Sequence, residues 1–348
     1  MSVDPIRVGI IGAGKNTRDK HIPGLQAIEG VEVVSVCNRS RASSERVAKE
    51  FSIPKVYKHW NDLVVAEDSN AIVIGTWPYL HYPITIAALG AGKHVLCEAR
   101  MAMDASQAKI MLEAALKKPH LITQVVPAPH TLYYDQTIKK MVADGFLGEI
   151  LAIEVRILNG KFLDESSPMH WRQDADLCGL NVMSLGIWYE AVMRWVGEAL
   201  MVKAMGKTFA KMRRDSESGN LKAVKIPDHL NVLADMACGA IASFSISSAT
   251  GLMNEQTATL FGSAGTISLR DGNLLAGKRG DDRLEPIIIP EHLVGGWRVE
   301  EEFINAIRGL EPITHTTFAD GFKYMQFTEA MARSCAENRG ITLPLFDL

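Results

Sequence analysis

The chain lacks any run of about 18 apolar residues, the length a helix needs to cross a bilayer, so no membrane span is predicted. Cysteine is scarce. Five (Cys37, Cys97, Cys178, Cys238, Cys335) are scattered through 348 residues with no Cys-x-x-Cys pair. That excludes a zinc ribbon or a dithiol redox motif, predicts no metal site, and suits the reduced thiols of a cytoplasmic protein. An excess of one charge is missing too. Lys and Arg number 37 against 40 Asp and Glu, a net charge of −3, which excludes a polybasic surface for nucleic acid or anionic membrane. No internal repeat or low-complexity tract is found. Met1–Pro5 runs directly into a strand-like segment with no long apolar stretch behind it, so no secretory leader is expected.

What is present reads as two globular domains, 1–126 and 127–348, at an ordinary 47% hydrophobic and 22% charged composition. In the first, the apolar runs Ile6–Ile11, Val31–Cys37, Ala71–Gly75 and His94–Cys97 alternate with helical stretches at Pro23–Glu29, Ser43–Glu50, Tyr82–Ala91 and Asp104–Lys117. Strands that alternate with helices and are apolar throughout predict a doubly wound parallel sheet covered on both faces. After residue 126 the pattern changes. Helices are predicted at Gln136–Ala143 and Met183–Val196, and alternating strands at Ile150–Leu158, His229–Met236, 242–246, Thr257–Gly262 and Thr266–Arg270. Tight turns at Cys238-Gly239, Ser263-Ala264-Gly265 and Asp271-Gly272-Asn273 imply antiparallel pairing. The second domain is therefore expected to be α+β with a large, mostly antiparallel sheet. Lys207–Pro227 reads as an exposed loop or hairpin, with Lys211-Met212-Arg213-Arg214 on a solvated face. Val299–Ile307 and Phe318–Ala336 are the closing helices, which could pack back on the first domain.

Ile10-Ile11-Gly12-Ala13-Gly14 is a strand running into a glycine turn, where a backbone can approach a pyrophosphate at the start of a helix. The third glycine of the dinucleotide fingerprint would stand at position 17, which is Thr17. Lys15, Asn16 and Thr17 are polar residues able to donate to phosphate. At the end of the second strand a carboxylate would hold the ribose diol of NAD. The segment here is Asn38-Arg39-Ser40-Arg41, without an acid. Cations and a hydroxyl at that place suit a 2′-phosphate, so NADP is expected over NAD, with NAD still open.

Several segments resemble the Gfo/Idh/MocA oxidoreductases. Gly90–Glu98 resembles the approach to that family's Glu-Lys-Pro motif, and Thr76-Trp77-Pro78-Tyr79-Leu80-His81 its Thr-Pro-x-x-x-His segment. Gly145–Ile150, Phe303–Gly309 and Leu343-Pro344 resemble its passage into the second domain and its closing pattern. The resemblance implies a Rossmann domain, a second-domain sheet that mediates a homodimer or homotetramer, and chemistry on sugars, inositols and related cyclic alcohols. It adds Thr76, Trp77, His81 and Glu98 to the expected cofactor contacts. It also exposes departures. Ala99 stands where the catalytic lysine is expected and Arg100 where the proline is. In Cys178–Trp188, Ser184 and Trp188 occupy the aspartate and histidine positions, and Ala191 a later aspartate position beside Glu190.

Hydride transfer at an alcohol carbon needs a proton transfer at its oxygen, for which a placed acid–base typically supplies about 10²–10⁴-fold. Alanine cannot do this, and serine needs a neighbouring base. The replacement candidates are His170 first, then His130, with Tyr189 as a third. Arg100, Arg172, Ser184 and Trp188 are candidates for holding substrate. Three functions fit: an NADP-dependent oxidoreductase acting on a small cyclic polyol, sugar or ketone; a lyase or isomerase oxidising its substrate transiently with bound cofactor; and a non-catalytic NADP-binding protein.

Overall fold

Near-continuous apolar segments build the first sheet. In the computed structural model, which describes residues 5–216 and 218–346, these are β1 (Ile6–Ile11), β2 (Val31–Cys37), β3 (Lys55–Val56), β4 (Ala71–Ile74), β5 (His94–Cys97) and β6 (Thr123–Val125). Met1–Asp4, which carry most of the expectation about a leader, lie outside the described residues. All neighbours pair in parallel, in the order β3-β2-β1-β4-β5-β6. Val8, Ile10, Ile72, Ile74, Val95 and Leu96 are wholly buried, as a sheet covered on both faces requires. The order reverses between β1 and β4, and ligands of such sheets bind beyond the strand ends at that switch point.

The crossovers begin with local chemistry. A π-helical turn, Thr17–His21, leads into α1 (Ile22–Gln26). The hydroxyl of Ser40 caps α2 (Arg41–Glu50) by accepting from Ser43 N. α3 (Trp60–Val65) and α4 (His81–Gly90) follow β3 and β4. Asp104 caps α5 (Ala105–Leu116), accepting from Gln107 N at 2.8 Å. The sequence reading missed β3, α3 and β6. β3 and β6 are two and three residues long, too short for an apolar run to register.

The second unit opens with α6 (Asp135–Ala143). A strand β7 (Ile150–Asn159), a short α7 (Ala175–Cys178) and α8 (Leu185–Val196) follow. Strands β8 (Ala199–Lys207), β9 (Met212–Arg214), β10 (Leu221–Ala223), β11 (His229–Met236), β12 (Ile241–Ser247), β13 (Asn254–Gly262), β14 (Gly265–Arg270), β15 (Asn273–Lys278) and β16 (Glu285–Pro286) come next. With the terminal β17 (Ile341–Thr342), all but β9 and β10 form a nine-stranded sheet, β16-β15-β14-β13-β7-β12-β11-β8-β17. It is antiparallel except between β7 and β12. Alternation is plain in β11, where Leu230, Val232, Ala234 and Met236 are buried while Asn231, Leu233 and Asp235 face out.

Lys207–Pro227 contains the small β9–β10 hairpin. Arg213 there is not on a solvated face. Its guanidinium is buried and donates to Asp164 O, Ser167 O and Ser167 Oγ, anchoring the hairpin to the 164–167 loop. All three bonds come from Nη1, and they offset part of the cost of burying the guanidinium.

α9 (Val299–Ile307) and α10 (Phe318–Glu337) are the last helices, followed by β17. By contact density one compact unit contains 1–127 and 298–322, and the other 128–297 and 323–348. Within the first, Gln124 Nε2 donates to Glu302 Oε2 at 2.7 Å and to His315 O at 2.6 Å, joining β6 to the returning segment. Among the described residues no helix is long and apolar enough to cross a membrane.

Candidate functional site

The glycine turn follows β1 at the switch point. Gly12 has φ +86°, and a Cβ there would lie 2.6 Å from Thr76 N, so only glycine fits. The missing third glycine has a steric explanation. Thr17 is buried and its hydroxyl donates to Gly12 O at 3.1 Å. It fills the space in front of Gly75, where an added Cβ would collide with both Thr17 Oγ1 and Gly12 O. The close approach that a glycine at 17 would permit is provided by a glycine on the β4 loop instead.

A cleft of about 470 Å³ opens over the ends of β1, β2 and β4. Gly12, Gly14, Asn38, Arg39, Thr76 and Trp77 line it, as expected from the sequence, and so do Lys58, His59 and Trp60, which sequence reasoning missed. Among the described residues no carboxylate lines it. The Arg39 guanidinium lies 5.7 Å from the centroid of the Trp77 ring. Asn38 is a scaffold at the end of β2. Its Oδ1 accepts from Ala13 N at 2.6 Å, its Nδ2 donates to Ser43 Oγ, and its backbone N–H donates to Ser44 Oγ. Arg41 pairs along α2 with Glu45. Thr76 Oγ1 is buried with no hydrogen-bond partner among the described residues. A glycine backbone cradle and an unsatisfied hydroxyl fit the pyrophosphate of a dinucleotide.

Other expected cofactor residues shape the cleft without lining it. Lys15 pairs with Asp19, and Ser40 caps α2. His81 is wholly buried, with Nε2 2.9 Å from Thr76 O and Nδ1 2.9 Å from Arg100 O. It tethers the β4 loop to the β5 loop. Burial lowers its pKa against the pull of those carbonyls.

Asn16 donates to Glu98, beyond β5. Glu98 belongs to a buried charge chain. His21, fully buried, donates from Nε2 to Glu98 Oε1 at 3.1 Å and from Nδ1 to Glu300 Oε1. Both ring nitrogens face carboxylates, which requires an imidazolium. Burial opposes that charge, but the hydrogen bonds to Glu300 and Glu98 outweigh it and raise the His21 pKa to about 9. Burial pushes the Glu98 carboxyl up, while His21, Asn16 and the Ala99 N–H more than offset it and hold the pKa below the usual value. Glu300 is 279 residues from His21, and nothing in the local sequence marks it as the partner. Arg100, expected to hold substrate, is 4% exposed.

In the second unit the structure brings together two small groups. His130 stacks on Trp188 with ring centroids 5.9 Å apart and planes 5° from parallel. Trp188 is 1% exposed, and its indole N–H has no acceptor among the described residues. Burial lowers the pKa of His130. Ser184 stands just before α8, after Met183 at φ +43°. The second group is a 3-10 turn. His170 Nδ1 accepts from Arg172 N at 3.2 Å, and Gln173 Oε1 accepts from His170 N at 3.0 Å, a reciprocal cap. The Arg172 guanidinium stacks 4.2 Å over Trp171. Burial and Arg172 lower the pKa of His170.

Tyr189 requires a correction. It is 1% exposed, stacked on Phe327 at 3.6 Å, and its hydroxyl accepts from Ala199 N. Burial raises its pKa above the ordinary phenol value. A phenol so placed packs the core, and no proton can be exchanged through it with a ligand.

Comparison with known proteins agrees with this architecture. Residues 6–125 match the family model described as "Oxidoreductase family, NAD-binding Rossmann fold", and 136–268 match the GFO/IDH/MocA C-terminal domain. The chain is 27% identical over 289 residues (82% of this chain, 73% of the other) to glucose-fructose oxidoreductase domain-containing protein 2 of Xenopus laevis. It is 29% identical over 195 residues to an uncharacterized oxidoreductase, ORF334, of Rhizobium meliloti, covering 56% of this chain and 57% of that one. It is 30% identical over 150 residues to inositol 2-dehydrogenase of Serratia proteamaculans, covering 42% and 44%. These last two matches thus span about half of each relative's length. A levoglucosan dehydrogenase solved with NADH and L-sorbose shares the fold, with a TM-score of 0.84, 22% identity, and coverage of 97% and 99% of the two chains. From its two matched domains, the chain belongs to the Gfo/Idh/MocA oxidoreductase family.

Proposed function

We propose that this protein is an NADP-dependent oxidoreductase transferring hydride between the nicotinamide and a small cyclic polyol, sugar or ketone. The observation that carries the NADP assignment is the acid-free end of β2, where Asn38 spends its side chain on the protein and Arg39 faces the cleft. The ribose diol of NAD would find no carboxylate acceptor there, whereas a 2′-phosphate would find a cation.

When bound, the nicotinamide supplies the hydride acceptor or donor. The chain's own residues do the rest. Gly12 and Gly14 admit the pyrophosphate, Thr76 Oγ1 offers an unused hydroxyl, and Trp77 offers a flat apolar wall. Glu98, kept ionised by His21, presents a fixed negative charge beyond β5. Proton handling falls to His170 or His130, both exposed and both with lowered pKa, hence neutral and able to accept a proton near pH 7. The unpaired indole N–H of Trp188 supports a ligand-binding role for the helix that replaces the family's usual set. The exposed face of the second sheet is assigned to self-association as a homodimer or homotetramer. Its register places Met201, Met205, Leu233 and Ile241 on one surface.

The test is to titrate the purified chain with NADP and NAD and then assay sugars, inositols and cyclic ketones at the nicotinamide absorbance. Turnover that is lost in His170→Ala or His130→Ala supports the proposal. Product formation without absorbance change points to transient oxidation by a lyase or isomerase. Tight cofactor binding with no turnover leaves a binding protein, a reading favoured by the absence of a lysine at Ala99 and the buried Tyr189.

A further inference from the structure

We infer that the turn between β3 and α3 forms the second wall of the adenosine site, and that Lys58 acts with Arg39 to select a 2′-phosphorylated dinucleotide. The inference deepens the NADP reading and rests on it. Its basis is strand register. β2 and β3 run parallel with Ser35 opposite Lys55 and Val36 opposite Val56, and Tyr57 N donates to Val36 O at 3.0 Å. The two chains leave the sheet side by side, so Lys58-His59-Trp60 emerges next to Asn38-Arg39-Ser40. Both Arg39 and Lys58 line the one cleft, with Trp60 and Trp77.

The charges around this turn are sorted. Lys55 pairs with Asp68, which also accepts from Tyr57. Arg41 pairs with Glu45 and Arg18 with Glu50. Those pairs account for both acids of α2 and for Asp68 in the loop before β4, and its neighbour Glu67 does not line the cleft. Asp62, in the first turn of α3, does not line the cleft. Lys58 has no carboxylate partner among the described residues and is exposed at the cleft. A 2′-phosphate carries close to two negative charges and accepts from several donors at once. Two cations arriving from adjacent loops meet that demand, whereas one satisfies it in part. A diol carries no charge and gains nothing from either.

The test measures binding to the full chain without turnover, using NADP, NAD, adenosine 2′,5′-bisphosphate and 5′-AMP. Calorimetry, or quenching of Trp60 and Trp77 fluorescence, gives the dissociation constants. Lys58→Ala is expected to weaken NADP and the bisphosphate about ten-fold and leave NAD and 5′-AMP within about two-fold. Lys58→Arg should retain NADP binding, and Lys58→Glu should shift the preference toward NAD. An unchanged melting temperature will show that the exposed substitutions leave the fold intact. If the unaltered protein binds NAD more tightly than NADP, the cofactor reading falls and this inference with it. If it prefers NADP but Lys58→Ala weakens both dinucleotides equally or neither, the role of Lys58 is overturned while the cofactor reading stands.

Discussion

His21 lies between Glu98 and Glu300 with no exposed surface, so its charge is held by geometry. Its folded pKa, about 9, is above the ordinary 6.5. The resulting stabilisation is fully present below about pH 6.5 and is lost as pH rises through about 9. Its full size is about 3 kcal/mol. Chemical denaturation across that window should show stability falling, and the imidazole carbon resonances of His21 should titrate near the upper end. In Glu98→Gln the midpoint should move down; an unmoved midpoint would remove Glu98 as the group holding the charge. Little of this was legible beforehand. Asn16 and Glu98 were marked as cofactor contacts, yet they bond each other, because only the fold brings positions 82 residues apart together. Tyr189 and Arg213 were misread for a related reason. A phenol or a guanidinium looks reactive or solvated in sequence, and its burial is decided by distant residues such as Phe327 and Ser167.

At the scale of elements, the strand ends and loops of the first sheet fit each other closely. Gly75→Ala should cost about 2–3 kcal/mol, because the new methyl would meet Thr17 Oγ1 and the Gly12 carbonyl and the glycine turn cannot give way freely. Thermal denaturation will measure the loss, and NADP affinity should fall with it. A melting temperature equal to that of the parent would mean that the packing is looser than the structure indicates. Asp104→Ala should remove the α5 cap for about 1 kcal/mol without touching the cleft. The long apolar strands and the capped helices were readable from periodicity because their own residues pay the cost of ordering. β3 was not readable, since two residues beside Pro54 carry no period, and with it went Lys58 and Trp60. The missing third glycine was legible as an absence, but its replacement by Gly75 was not, because the two positions belong to different crossovers.

For the whole molecule, the second sheet presents Met201, Met205, Leu233 and Ile241 at 42–74% exposure on one face, with Glu154, Arg156 and Lys203 among them in register. The sequence showed this face through alternation but could not show what covers it. Light scattering should find an oligomer, and the pair Leu233→Lys and Ile241→Lys should yield monomers that still bind NADP; an undisturbed mass would rule the face out. The division of the chain has a further consequence, for its synthesis. Glu300, which holds His21, and Glu302, which holds Gln124, belong to the segment 298–322 that completes the first unit. At ordinary elongation rates Glu300 is made roughly 10–30 s after Pro127. During that interval His21 has Glu98 but not yet Glu300, and Gln124 lacks its carboxylate partner Glu302. The first unit's last bonds wait until the ribosome has made all of the other unit's sheet except β17.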